Sequence, residues 1–205
     1  MRKSEARIIA HDLSNLFSTL ASLYEREGRD GANEAVTALK KATTSDHSFS
    51  EVDETPFLEE FEAAFATNPA PEAVAVQEVL PLIKWHYAGL EDGRIRPEIA
   101  RHMLTAELLG PNGMIFHPTV RVGLFMQRAG LNYVTRNHAA EECFIMLAGE
   151  GFWSADDGER YRKTAGDLIF HHSMMPHSSE TREKPLLAAW RWSGDIGWDQ
   201  YQLKG

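Results

Sequence analysis

The chain of 205 residues has a single cysteine, Cys143, so it can hold no internal disulfide, and a reducing, cytoplasmic setting is expected. It also lacks a basic patch. Lys and Arg number 21 against 30 Asp and Glu, the net charge is −9, and no cluster of basic side chains forms a stripe. These features argue against phosphate-backbone binding as a purpose, and no nucleic-acid partner is expected. No apolar run is long enough to cross a bilayer, so no membrane partner is expected either. The opening MRKSEARIIAHDLSNLF sets basic residues ahead of apolar ones, but His11, Asp12, Ser14 and Asn15 interrupt the core that a signal peptide requires. Repeats and low-complexity tracts are absent.

What is present suits one good-sized domain, or one domain with a helical extension: 43% of residues are hydrophobic and 25% charged. The two halves of the chain read differently. Residues 1–100 form a helical region. Ile9, Leu13, Leu16, Leu20 and Leu23 recur at spacings of three and four, and a second helix runs from about Ala32 to Ala42. TTSDHSFSEVDE is a polar linker. Thr55-Pro56 marks a helix start with Thr55 as its cap, and Phe57, Phe61 and Phe65 follow on one face. A further helix over NPAPEAVAVQEVLPLIKWHYAGL breaks at Pro81. Residues 101–205 instead carry short β-branched and aromatic runs: TVRVGLFMQ, ECFIMLAGEGFWSA, YRKTAGDLIF and PLLAAWRW, with ADDGE as a hairpin turn. Close-spaced strands without intervening helices imply an antiparallel barrel or sandwich, here covered on one side by the helices.

Alternation along a strand puts Arg136, His138, Glu142, Phe144 and Met146 on one face, into the mouth of the barrel. His138 and Glu142 are an imidazole and a carboxylate side by side, as a divalent-metal site needs. His177, after the strand GDLIF and the turn at Met174-Met175-Pro176, is placed to bring a third ligand. Two histidines and one carboxylate leave coordination positions open, which suits Zn, Fe(II) or Mn. By the same alternation Glu141 faces solvent and Cys143 lies on the outward face, with no catalytic part for either.

Glycines frame these residues. Residues 130–149 resemble the first cupin motif, G-x5-H-x-H-x3-E-x6-G, with Arg136 in place of the first His. Residues 166–177 resemble the second, G-x5-P-x-G-x2-H, with His172 and Met174 in place of Pro and Gly. The resemblance implies a cupin β-barrel (a double-stranded β-helix, or jelly roll). A narrower one covers more of the chain. The helical first half, TAELLGPNGM, VRVGLFMQRAGLNY, HAAEE, LAGEGFW, MPH and AAWRWSGDI, in this order, resemble the bacterial cupin-type dimethylsulfoniopropionate lyases, which release dimethyl sulfide and acrylate. It implies one divalent ion held by His138, Glu142 and His177, and a functional tyrosine at Tyr133. In that family a second tyrosine commonly follows the metal-binding glutamate by two residues; here Phe144 stands there.

Phe144 has no oxygen with which to ligate metal or take a proton. Arg136 is always protonated and cannot ligate. Beside a dication it either pairs with Glu141 or another acid, the preferred arrangement, or faces the cavity and holds a substrate carboxylate bidentately. Tyr133 is the leading candidate base, with a rim-packing role as the alternative and His171 or His172 as possible substitutes. Phe144, Trp190, Trp192 and Tyr133 offer an aromatic wall to a cation. Trp85 and Tyr87 either cap the pocket or pack in the core. The expected partner is a small carboxylate substrate, and the tendency of small barrels to pair leaves a homodimer open. Two other readings share the barrel: a metal-dependent dioxygenase or isomerase, and a non-catalytic small-ligand-binding cupin.

Overall fold

The computed structural model describes residues 12–156 and 158–204. Ile9, the first residue of the expected stripe, lies outside them. Helix α1 (Ser14–Glu27) buries Leu16, Leu20 and Leu23, with Leu13 fully buried just before it, and stops at Gly28 in the left-handed region. Burying each of those leucines stabilises the fold by about 1.5–3 kcal/mol. Helix α2 (Asp30–Thr44) lies against α1. Helix α3 (Leu58–Phe65) starts later than the Thr55-Pro56 signal predicts. Phe57 occupies the cap position at φ 61° and offers no side-chain cap; its ring is buried, under the Arg128 guanidinium at 3.7 Å. Burial of that ring decides where the helix begins, ahead of cap chemistry. Helix α4 (Ala73–Val79) gives way to a 3-10 turn over Leu80–Leu82, at the expected Pro81.

The described residues then form strands β1 (His86–Tyr87), β2 (Met103–Gly110), β3 (Ile115–Phe116), β4 (Arg121–Gln127) and β5 (Asn132–Asn137), with the one-turn helix α5 (Pro97–Ala100) before β2. After them come β6 (Ala140–Ala155), β7 (Tyr161–Thr164), β8 (Leu168–His171), β9 (His177–Glu180), β10 (Leu186–Gly194) and β11 (Gln202–Leu203). Their order is β1-β2-β4-β10-β6-β9-β5-β11, a sheet curled into a barrel. The sixteen-residue β6 makes the curl. Its first part, residues 140–149, pairs with β10, and its second, 150–155, pairs with β7 and β9. Between them Gly149 takes φ +78°, where a Cβ would meet the Pro185 carbonyl oxygen at 2.0 Å, so only glycine passes. YRKTAGDLIF, expected as one strand, is two. Gly166 at φ +91° turns the chain, the Asp167 carboxylate accepts the Thr164 amide at 2.7 Å, and β7 and β8 pair with different parts of β6.

Alternation sorts β6 and β10 between two cores. Cys143, Ile145, Leu147, Leu187 and Ala189 face the helices, while Phe144, Met146, Ala188, Trp190 and Trp192 face the barrel interior. A buried ion pair ties the helical layer to the barrel. Arg191 on β10 donates to Glu27 of α1 (Nε to Oε2, 2.8 Å) and to Glu141 of β6 (2.9 Å). Helix α2 comes so close here that a Cβ on Gly31 would lie 2.2 Å from Ser193 Oγ.

Candidate metal centre and pocket

Strand β6 begins just past the turn that carries His138, so His138 and Glu142 arrive on one inner face; β9 brings His177 from the other side. All three are buried, and each offers a ligand atom within 4.8 Å of the others. His138 Nε2 and His177 Nε2 lie 3.5 and 3.3 Å from the same oxygen, Glu142 Oε2. The opposite ring nitrogens are fixed. His138 Nδ1 donates to the Ala140 carbonyl at 3.0 Å, and His177 Nδ1 to that of Met175 at 2.8 Å. A carbonyl only accepts, so each Nδ1 carries the proton and each Nε2 turns a lone pair inward. Neither Nε2 has a hydrogen-bond partner among the described residues.

Three buried acceptors facing one another repel unless a cation lies between them. Two ligand bonds of about 2.1 Å meeting near the tetrahedral angle span about 3.4 Å, so the observed separations fit one divalent ion. Glu142 is held on both oxygens. Trp192 Nε1 donates to Oε1 at 2.7 Å and His171 Nδ1 to Oε2 at 2.9 Å. Burial pushes the Glu142 carboxyl up, but His138, His171 and His177 outweigh it and hold the group well below the usual carboxylate range. Burial first, then the Arg136 charge, push His177 down to about 3, so its imidazole is neutral, as a ligand must be. Met174 sits where the second motif has glycine and takes that residue's conformation, φ 62°; its amide bonds the His138 carbonyl at 2.8 Å.

Arg136 does not pair with Glu141. The two lie on opposite faces of the barrel wall, and Glu141, on the outer face as alternation predicts, is half-buried and taken by Arg191. Arg136 instead lines the interior pocket. It is 3% exposed, its guanidinium lies 3.9 Å from the Tyr133 ring centroid, and Nη1 and Nη2 have no hydrogen-bond partner among the described residues. The pocket is a cavity of about 110 Å³, walled by Phe125, Phe144, Trp190 and Trp192. Drug-sized ligands need roughly 300–1,000 Å³, so this one takes a compact molecule.

Tyr133 is buried in the same pocket and its hydroxyl bonds that of Tyr201. His171 faces the core and His172 is exposed. Trp85 packs on Phe61 in the core at 4.8 Å, and Tyr87 is partly exposed beside Phe57; neither lines the pocket. Burial pushes the Cys143 thiol far up, in keeping with its place outside the site. Sequence reasoning missed the Glu142 contact of His171, and with it Arg94, Trp198 and Tyr201, which also line the pocket. The last two belong to a tail with no motif. Its aromatic residues were the one available signal.

The sequence profile of the dimethylsulfoniopropionate lyases matches residues 31–188. Over 177 residues the chain is 27% identical to dimethylsulfoniopropionate lyase DddQ of Ruegeria pomeroyi, a match covering 68% of this chain and 88% of that one. The crystal structure of DddQ from that organism aligns with a TM-score of 0.62 at 23% identity, over 93% of this chain and 96% of the other. A second solved structure, from work on the lyases RdDddP and RnDddQII, gives 0.65 at 18% identity, over 94% and 97%. The expected fold, a cupin barrel with an α-helical first half, is the one this chain has, and both structures align with it over nearly its whole length.

Proposed function

The chain belongs to the dimethylsulfoniopropionate (DMSP) lyase family, and from that premise we propose that it cleaves DMSP by β-elimination at a divalent ion held by His138, Glu142 and His177. One observation carries the reading. Three buried, inward-facing ligand atoms stand beside an unpartnered guanidinium in a small aromatic pocket. Membership makes the protein a carbon–sulfur lyase acting on a small molecule.

Arg136 holds the substrate carboxylate in a bidentate pair, giving its two free nitrogens the acceptors they lack. The sulfonium lies against Phe144, Trp190 and Trp192, whose ring faces attract a cation. A bound dication supplies Lewis acidity toward the carboxylate, which acidifies the adjacent carbon. As the phenolate, its own proton released to solvent, Tyr133 Oη takes the proton from that carbon. The freed electron pair forms the carbon–carbon double bond, and the carbon–sulfur bond breaks with its pair going to sulfur. Dimethyl sulfide leaves neutral and acrylate remains on Arg136. Burial pushes the Tyr133 phenol above its ordinary value, and the Arg136 guanidinium and the Tyr201 hydrogen bond oppose that rise. Burial wins that balance in the chain alone, so the charge of a bound dication would have to supply the remaining stabilisation of the phenolate. The ligand set serves Zn, Fe(II) or Mn alike. One cysteine, and no helix among the described residues long and apolar enough to cross a membrane, support a cytoplasmic enzyme.

Headspace chromatography over purified, metal-reconstituted protein and DMSP tests the reading. Dimethyl sulfide is expected, with equimolar acrylate in solution, and release stops on chelation. Oxygen uptake without dimethyl sulfide would instead point to a dioxygenase.

A further inference from the structure

Outside the three ligands, the carboxylate and phenol side chains lining the pocket among the described residues are those of Glu107, Tyr133 and Tyr201. Glu107 is already engaged: Oε2 accepts Arg121 Nη1 at 2.6 Å and Oε1 accepts the Asn112 amide at 3.0 Å. The two phenols remain, bonded to each other. They are 68 residues apart in the chain. Tyr133 is on β5, and Tyr201 is on the closing segment that crosses the barrel mouth after β10.

Four contacts fix that segment. β11 pairs with β5, setting Leu203 opposite Arg136, and the Lys204 amide donates to the Thr135 carbonyl at 2.8 Å. Trp198 packs on Trp192 with ring centroids 4.4 Å apart, and the Arg94 guanidinium covers Trp198 at 3.6 Å. Tyr201 is thereby held over the pocket on a strap of its own.

In a phenol–phenol hydrogen bond one hydroxyl donates and the other accepts. The Arg136 guanidinium lies over the Tyr133 ring and favours negative charge there, so Tyr133 is the better acceptor and Tyr201 the donor. As the phenolate, the Tyr133 oxygen accepts the Tyr201 hydrogen bond on one lone pair and keeps another open for the proton from carbon. We propose that Tyr201 is a positioning residue for the elimination: it donates to Tyr133 Oη, fixes that oxygen toward the substrate, and so makes the C-terminal strap part of the reacting site. The proposal rests on the reading of Tyr133 as base. In the step itself the proton passes from the substrate carbon to Tyr133, the electron pair leaves with sulfur, and Tyr201 keeps its own proton.

The test compares wild type, Tyr201→Phe and Lys204→Pro, each full-length and metal-loaded, by steady-state dimethyl sulfide release from DMSP. Tyr201→Phe keeps the ring and removes the hydroxyl. Loss of a hydrogen bond to a charged oxygen is expected to lower kcat roughly tenfold or more. KM is expected to stay within about twofold and metal content to be unchanged. Lys204→Pro leaves the phenol intact but deletes the amide that ties the strap to Thr135, and its kcat is expected to fall as well. Unchanged kcat in Tyr201→Phe with an active wild type overturns the proposal alone. A loss seen mainly in KM or metal content makes Tyr201 a packing residue and overturns it too. A wild type that releases no dimethyl sulfide overturns the underlying reading and the proposal with it.

Discussion

Replacing Arg136 with methionine should pull function and stability in opposite directions. The side chain is nearly fully buried, and two guanidinium nitrogens lack partners in the free protein. Leaving a buried donor unsatisfied costs about 1–3 kcal/mol, and more when it is charged. Against that stands the stack on Tyr133, worth about 0.5–2 kcal/mol. Methionine keeps the length and the apolar stem and removes the charge. The expected net effect is a gain of about 1–2 kcal/mol, which raises Tm by roughly 3–6 °C in a chain of this size. Losing the bidentate pair to the substrate carboxylate costs about 1.5–3 kcal/mol of binding, so KM for DMSP should rise roughly 10- to 150-fold. Calorimetry of the metal-loaded protein and initial rates of dimethyl sulfide release read the two effects separately. A variant with unchanged KM and a lower Tm would refute the reasoning: the guanidinium would then hold the fold, and the carboxylate would bind elsewhere.

Three further perturbations bear on the site. Tyr133→Phe should abolish dimethyl sulfide release while leaving metal content intact; persistent turnover would remove Tyr133 as the base. His171→Leu takes away the donor to Glu142 Oε2 and should weaken metal affinity about 10- to 100-fold in competition with a chelator, as loss of a ligand's supporting hydrogen bond does. His177, depressed to about 3 in the fold, stays neutral there while the unfolded chain takes up a proton below about 6.5. Its contribution to stability is therefore complete above about pH 6.5 and is lost as pH falls toward 3. Melting curves of the metal-free protein across that range should show the decline, and His177→Leu should flatten it.

Much of the barrel was readable because strands leave a period of two in the sequence. Phe144, Met146, Trp190 and Trp192 turn inward and Cys143 outward, as alternation requires, and Glu142 turns inward for the same reason, while His138 meets it from the turn before β6. The three framing glycines, Gly130, Gly149 and Gly166, all take positive φ, which is why their spacing survives as a signal. Partnership across the barrel was not readable. Glu141 looked like the natural mate of Arg136, yet it pairs with Arg191, whose other partner, Glu27, is 164 residues away. Nothing local to either residue records that pairing. Tyr201 leaves no local signal for a like reason: its place beside Tyr133 follows from where β11 docks, a matter of tertiary register. The split of YRKTAGDLIF was legible in Gly166, but the β-rich composition on either side outweighed it.

Metal stoichiometry by plasma mass spectrometry, on wild type and Glu142→Gln after reconstitution and desalting, bears most directly on the proposed centre. One divalent ion per wild-type chain and almost none in the variant is the predicted result. A wild type that retains no metal, or a variant that retains it fully, would contradict a site built on His138, Glu142 and His177.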